Sequence, residues 1–347
     1  ASLEGLVLTP TNDFIGTTNI SISVDDQGNT GSGGPLIDSG SVQVYHAPTN
    51  DAPVITLPSP LTINEDGELL LSGGVIQVQD DAEAADLLKI EVATTNGTTN
   101  LGESIDVIVT QDGSSGTLAF SGTISQINDA FNMLTFIPTK DFVGDATIAI
   151  AADDQGAGGQ GGAMIGSNTL SIAVAGVNDA PTLNIPDVQV VDFDGSKTFS
   201  TATDNAITFT DVDAGDSDLL EISLEVAEGT LTLPSTDVIK LVTGDGENDS
   251  TLVFTATATN CLLALDGLTY TPIQSPGPST QILIAIDDLG NSGSGGARNV
   301  AGTLDISINY KPPEITQGES VSVEMEEDNS SSWIAPTLTA IDPNSET

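Results

Sequence analysis

The acidic residues of this chain gather in sets. They fall at Asn50-Asp51, Asp80-Asp81-Ala-Glu83 and Asp153-Asp154, and again at Asn178-Asp179, Asp211-Val-Asp213-Ala-Gly-Asp216 and Asp287-Asp288. Each set has a member beside an Ala-Pro dipeptide, one about 30 residues on and one about 100 residues on. Like charges gathered by a fold repel, so such sets persist either apart on solvated turns or around a hard cation. Carboxylates, asparagine amide oxygens and backbone carbonyls are the ligands of Ca2+, which takes six to eight oxygens in flexible geometry. Asp and Asn also make ordinary turns by bonding their own backbone. A single Asp-Asp pair therefore says little; a three-part set that repeats in register points to calcium.

Other chemistry finds little support. One histidine, His46, and one cysteine, Cys261, exclude two-histidine zinc sites and any internal disulfide. Cys261 aligns with Ile127 in the repeat described below and reads as a small buried hydrophobe, with no base in sight; His46 reads as part of a linker. Gly156-Ala-Gly158-Gly-Gln-Gly161 spells the dinucleotide fingerprint, but no helix follows. It reads as a flexible hairpin connection, as do Gly28–Gly34 and Gly290–Gly296. Asp211-Val-Asp213 opens like an EF-hand loop, yet Gly215 and Ile222 stand at the fifth and twelfth positions. A glycosidase needs two acids across a cleft with one pKa raised, and repetition of the same acids argues for structure. The chain is read as not an enzyme.

Composition narrows the partners. Asp and Glu number 50 against 6 Lys and Arg, a formal charge of -44 over 347 residues, while 38% of residues are hydrophobic. Such a chain builds a core yet is repelled by nucleic acid and by anionic bilayers, and no stretch is long and apolar enough to span a membrane. Aromatics at 4% with 36 glycines suit many short strands and tight turns. Four sequons, at Asn19, Asn96, Asn248 and Asn329, are about the number chance provides.

The elements that position these acids come from a repeat. Leu6-Val-Leu-Thr-Pro10-Thr-Asn-Asp13-Phe14-Ile-Gly16 returns as Leu134-Thr-Phe-Ile-Pro138-Thr-Lys-Asp141-Phe142-Val-Gly144 and more weakly as Leu268-Thr-Tyr-Thr-Pro272. The proline spacings are 138−10=128 and 272−138=134, and the markers Asp25-Asp26-Gln-Gly, Asp153-Asp154-Gln-Gly and Asp287-Asp288-Leu-Gly share them. Asn50-Asp51-Ala-Pro53 recurs as Asn178-Asp179-Ala-Pro181 and, degenerate, as Asn309-Tyr-Lys311-Pro312. Leu88-Lys-Ile-Glu-Val92 is aligned with Ile222-Ser-Leu-Glu-Val226. Units of this length are whole domains in tandem: complete repeats at 53–180 and 181–312, the C-terminal part of a repeat at 1–52, and the N-terminal part of a further one at 313–347. Within a unit, runs such as Ala146-Thr-Ile-Ala-Ile-Ala151 alternate with period two, while Ile124, Ile127, Phe131 and Leu134 follow a helical period. The expected fold is all-β, an antiparallel β-sandwich per repeat with one short helix.

Asn178-Asp179-Ala-Pro181 in a linker, Asn64-Glu65-Asp66 near a unit's start, Asp211-Val-Asp213 and Asp153-Asp154-Gln-Gly resemble the motifs of cadherin-type domains. Gly116-Thr-Leu-Ala-Phe-Ser-Gly-Thr-Ile-Ser-Gln-Ile-Asn and Asp25-Asp-Gln-Gly-Asn-Thr-Gly-Ser-Gly-Gly look like the tandem cadherin-like repeats of giant bacterial surface proteins, the VCBS-type and RTX-type adhesin stalks. The resemblance implies cadherin-like or immunoglobulin-like sandwiches with Ca2+ at domain junctions of an extracellular, cell-surface stalk. It implies metal ligands Asn50, Asp51, Asp80, Asp81, Asp153 and Asp154 at the first junction, Asn178, Asp179, Asp211, Asp213, Asp287 and Asp288 at the second, and Glu65. The third linker carries Lys311 in place of an acid, which implies a metal-free junction. The partners implied are adjacent repeats of the same or neighbouring chains and, for an adhesin, cell-surface glycans or proteins. A glycan- or cell-binding module and a subunit of a self-assembling extracellular filament are the alternatives.

Overall fold

The computed structural model describes residues 4–12, 14–29, 31–102, 106–290, 293–311, 314–317 and 338–341. The chain divides at Ala175/Gly176 into two compact units. Asn329, and most of the expected repeat fragment at 313–347, lie outside the described residues.

The first unit opens with β1 (Gly16–Asp25) and β2 (Ile37–His46), which form a two-stranded sheet of their own. Then come β3 (Val54–Thr56), β4 (Leu61–Asn64), β5 (Leu69–Leu70), β6 (Gln77–Gln79), β7 (Leu88–Thr95) and β8 (Gly97–Leu101). After β9 (Ile108–Asp112) and β10 (Thr117–Gly122), α1 (Ile124–Phe131) precedes β11 (Leu134–Pro138), β12 (Gly144–Asp153) and β13 (Ile165–Ala175). A six-stranded sheet, β4-β13-β12-β7-β10-β9, packs on a three-stranded one, β5-β11-β8, with β3 and β6 paired separately. Pairing is antiparallel except β13 with β4.

The alternation in sequence becomes the two faces of these sheets. In β7, Leu88, Ile90 and Val92 are buried while Lys89 and Glu91 face solvent. They join Phe120, Phe136, Ile148, Ile150, Leu170 and Ile172 in one core, where a buried aliphatic side chain contributes about 1.5–3 kcal/mol. A one-residue slip would turn this whole set outward, so the register is fixed by burial. Helix α1 forms where the period changes to helical. Thr123 caps it, its hydroxyl accepting from the Gln126 N–H at 3.4 Å while its own N–H donates to Gln126 Oε1 at 2.9 Å, and Ile127, Ala130 and Phe131 are buried.

The second unit repeats the plan. It runs β14 (Thr182–Asn184), β15 (Gln189–Asp192), β16 (Lys197–Phe199), β17 (Thr208–Thr210), β18 (Leu219–Val226), β19 (Gly229–Thr232), β20 (Lys240–Thr243) and β21 (Thr251–Thr257). Next are α2 (Ala258–Leu265), β22 (Leu268–Pro272), β23 (Ser279–Asp287) and β24 (Asn299–Asn309), and finally β25 (Glu314–Gln317) paired with β26 (Leu338–Ile341). The sheets are β15-β24-β23-β18-β21-β20 and β16-β22-β19, with β14 paired to β17. Cys261 is fully buried in α2, as Ile127 is in α1. Burial pushes its thiol up to about 12, although the Ala256 carbonyl accepts from it. The all-β sandwich expected from the periodicity is the fold observed.

The strand ladders correct one alignment. Ile90 pairs with Phe120 and Ala152, and Ile222 pairs with Phe254 and Ile286. Ile90 therefore corresponds to Ile222, and the match of Leu88–Val92 to Ile222–Val226 is two residues out. Repeats of equal strand order differ in loop length, and side-chain type alone does not fix which Ile is which.

Candidate metal centres

Each Asp-Asp pair stands at the end of a long strand, β1, β12 or β23, and its two members do different things. The first caps a tight turn: Asp25, Asp153 and Asp287 each accept the N–H two residues on, at 2.8 Å. That turn puts Gln27, Gln155 and Leu289 at positive φ, 51°, 57° and 60°. The second closes the following hairpin. Asp26 Oδ1 accepts from Gly28 and Leu36, Asp154 Oδ1 from Gly156 and Met164, and Asp288 Oδ1 from Gly290 and Arg298, all at 2.7–2.9 Å.

The remaining oxygen of the second Asp meets the linker. Asn50 Nδ2 donates to Asp154 Oδ2 at 2.8 Å and to the Gly162 carbonyl at 2.9 Å. Asn178 Nδ2 repeats both contacts, to Asp288 Oδ2 at 2.7 Å and Gly296 at 3.0 Å. All four side chains are buried. Burial pushes the Asp154 carboxyl upward, but the Gly156 and Met164 N–H groups and the Asn50 amide together bring it below its ordinary value.

The glycine loops are the second anchor of the linker, which corrects their reading as flexible connections. The Gln160 N–H donates to the Pro48 carbonyl at 2.9 Å, and the Asn50 N–H to Gln160 at 3.1 Å. In the second unit Ser294 donates to Gly176 at 2.9 Å and accepts from Asn178 at 2.8 Å. The approach is too close for side chains. A Cβ on Gly293, where φ is +73°, would lie 2.6 Å from the Asn178 nitrogen, and one on Gly158 would lie 2.4 Å from Asp81 Oδ1. Sequence reasoning missed Gln160 and Ser294 because they act through the backbone; the recurring glycines at those loops were the available signal.

Against each clasp lies an aspartate that follows the short strand β6 or β17. The structure brings Asp80 to Asp154 with Asp81 beside it in sequence, and Asp211 and Asp213 to Asp288. Asp80 is pushed above the ordinary carboxylate range first by burial, then by the charges of Asp81 and Asp154. Neither Asp80 oxygen has a hydrogen-bond partner of good geometry, although the Ala82 and Asp81 N–H groups lie near enough to offset part of the upward shift. Asn50 Oδ1 is likewise buried and unpartnered. In the second unit Asp211 Oδ1 accepts from Asp213 and Ala214 at 3.0 and 3.3 Å, and Asp213 Oδ2 accepts the Asp179 N–H at 2.5 Å. Asp211 Oδ2 is buried without a partner, and burial, with lesser contributions from the Asp288 and Asp213 charges, pushes the group upward. A cavity of about 10 Å³ opens there, lined by Asn178, Asp211, Asp213, Asp218 and Asp288. Asp218 is the acid that sequence reasoning left out.

Asp51 is exposed and lines one open groove with Asp81 and Gln160. One group stands elsewhere. Glu65 is buried at the other end of its sandwich, its N–H on the Ala175 carbonyl at 3.0 Å. The ten-residue strand β12 separates that end from Asp154, about 30 Å.

Burying oxygens without donors is costly, and burying like-charged ones more so. The unpartnered oxygens are all hard acceptors, the chemistry calcium takes and zinc or copper sites do not. Among the described residues no three Asp, Glu, His or Cys side chains already converge in ligating positions. The oxygens are therefore of the kind calcium takes, and the carboxylates are held near one another but not closed around a point.

No family model matches the chain, and no curated protein matches it. Among solved structures it is similar to protocadherin gamma B2 extracellular cadherin domains 3-6, at 17% identity and a TM-score of 0.30 over 85% of this chain. The chain spans 60% of that fragment's length. It is also similar to mouse cadherin-23 EC22-24, at 16% identity, TM-score 0.35, covering 85% of this chain and 75% of that one. Human CDH23 EC21-23 matches at 14% identity, TM-score 0.33, with 84% and 80% covered. The sandwich assignment rests on the strand register and cores of this chain. Among the described residues no helix is long and apolar enough to cross a membrane.

Proposed function

We propose that this chain is a structural and adhesive segment of an extracellular surface protein, built from cadherin-like repeats at 53–180 and 181–312. In this reading it resembles VCBS-type and RTX-type adhesin stalks, and Ca2+ fixes each linker to the repeat it enters. The observation that carries it is the set of buried, unpartnered oxygens of Asn50, Asp80 and Asp211 beside the linker clasps. Calcium, when bound, supplies the positive charge and multiple oxygen coordination that such oxygens lack. The chain's own residues do the rest. Asn50 and Asn178 hold the linker by their amides, the glycine loops hold it by backbone bonds, and Asp154 and Asp288 join loop to linker. Asp80 and Asp211 repel their neighbours in the absence of a cation, so a cation that binds only the assembled cluster favours that arrangement over an open one. A linker held in this way continues the domain it enters and transmits force, which is the work of a stalk.

Thermal melting of the full chain in saturating calcium, in magnesium and in chelator tests this. At calcium about a hundredfold above its dissociation constant the expected gain is about 2.7 kcal/mol per site, or roughly 5–10 °C. Identical melting in calcium and in chelator would remove the proposal.

A further inference from the structure

The last strand of the second sandwich runs into a segment that carries one of the chain's six cations, Lys311. Its register differs from what the linker motif suggests. Strand β24 pairs in parallel with β15, Ile308 opposite Val191 and Asn309 opposite Asp192, just as Val174 lies opposite Ile63 and Ala175 opposite Asn64. Asn309 therefore corresponds to Ala175 and not to the linker residue Asn178, and Lys311 corresponds to Val177. By the same ladder Phe193 stands where the first unit has the buried Glu65: each donates its N–H to the last residue of the long strand, Phe193 to Asn309 at 3.1 Å and Glu65 to Ala175 at 3.0 Å.

The substitution of a ring for a carboxylate comes with matching partners. Phe193 stacks on Tyr310 with ring centroids 5.5 Å apart and planes at 22°, and the Tyr310 hydroxyl donates to the Pro276 carbonyl. Asn309 Nδ2 donates to Asp192 Oδ1 at 2.7 Å. Lys311 Nζ lies 3.1 and 3.4 Å from the two oxygens of Asp194 and 3.9 Å from Asp192 Oδ2. Three consecutive residues thus hold one turn, Asp192-Phe193-Asp194, by an amide, a ring and an ammonium.

We infer that Lys311 is a built-in cation that does at the exit of the second sandwich what a divalent ion would otherwise do, fixing residues 309–311 to the Asp192–Asp194 turn without metal. The ammonium is tethered two residues from the strand end, so it is present at a high effective concentration that no chelator alters. It lies beside both carboxylates of the turn, Asp192 and Asp194, and a stacked ring stands at the middle position where the first unit carries the Glu65 carboxylate. A phenyl ring has no lone pair for a hard cation, so the middle position has lost a ligand and the turn has gained a neutralising charge. The inference goes beyond the calcium reading of the entry clusters and does not depend on it.

Hydrogen exchange followed by mass spectrometry on the full chain, in calcium and in chelator, tests it. The reporters are the amides of Phe193, bonded to Asn309, and Ile308, bonded to Pro278, normalised to a buried strand amide such as Ile222. Their exchange is expected to be the same in both buffers. Lys311→Gln is expected to speed it roughly fivefold in both, the scale of one ion pair coupled to a stack, and Lys311→Arg to restore it. Faster exchange of these amides on chelation in the unaltered chain, or no effect of Lys311→Gln, would overturn the inference. The Asn50 and Asn178 amides in the same data report the calcium reading separately, whichever way the exit behaves.

Discussion

Asp211 gives one oxygen to two backbone donors and leaves the other buried with none, beside two further carboxylates. An asparagine there keeps the shape and removes the charge. Asp211→Asn is expected to raise the melting temperature in chelator, because the repulsion goes, and to abolish about half of the calcium-induced gain, because one of two clusters loses its ligand; paired melting curves of variant and parent check both signs. Cys261 offers a contrast. Its thiol is fully buried and pushed up to about 12, so almost no thiolate exists near neutrality. Alkylation of the native chain at neutral pH is expected to be undetectable and to become complete in denaturant, which intact-mass measurement reads directly.

At the scale of elements, the period of the sequence was enough for the sandwich. Alternation in β7 and β12 became burial of Leu88, Ile90, Ile148 and Ile150, and the helical spacing around Ile127 became α1. The pairing of repeats was less legible. Two-residue differences in loop length misaligned Leu88–Val92, and the tail motif at Asn309 was read as a linker although the ladder makes it the end of a strand. Of the site, the acids and the linker asparagines were visible as spacing. The amide clasp and the docking of linker backbone on the glycine loop were not, because hydrogen bonds between residues over 100 apart leave no local pattern. That docking makes a sharp comparison possible. Gly293 and Gly296 both have positive φ, but a Cβ on Gly293 meets the Asn178 and Val177 backbone while one on Gly296 meets nothing within 4 Å. Gly296→Ala is expected to cost only the backbone penalty of about 1 kcal/mol, and Gly293→Ala about 1–3 kcal/mol together with weakened calcium affinity. Denaturant melts of the two variants in calcium and in chelator separate these outcomes.

For the whole molecule the dominant quantity is a formal charge of -44. In chelator the folded chain carries that self-repulsion unrelieved except by mobile salt, so its melting temperature is expected to climb as sodium chloride rises from about 0.01 to about 0.5 M. With calcium bound the steepest local repulsion, at Asp80 and Asp211, is already met, and the same salt series should give a visibly flatter slope. The most direct measurement of the central claim is a calorimetric titration of calcium into the decalcified full chain, repeated on Asp80→Asn, Asp211→Asn and the double variant. Saturable binding that each single variant reduces and the double variant removes is the predicted result. Heats no larger than those of dilution, or binding that the double variant leaves intact, would contradict it.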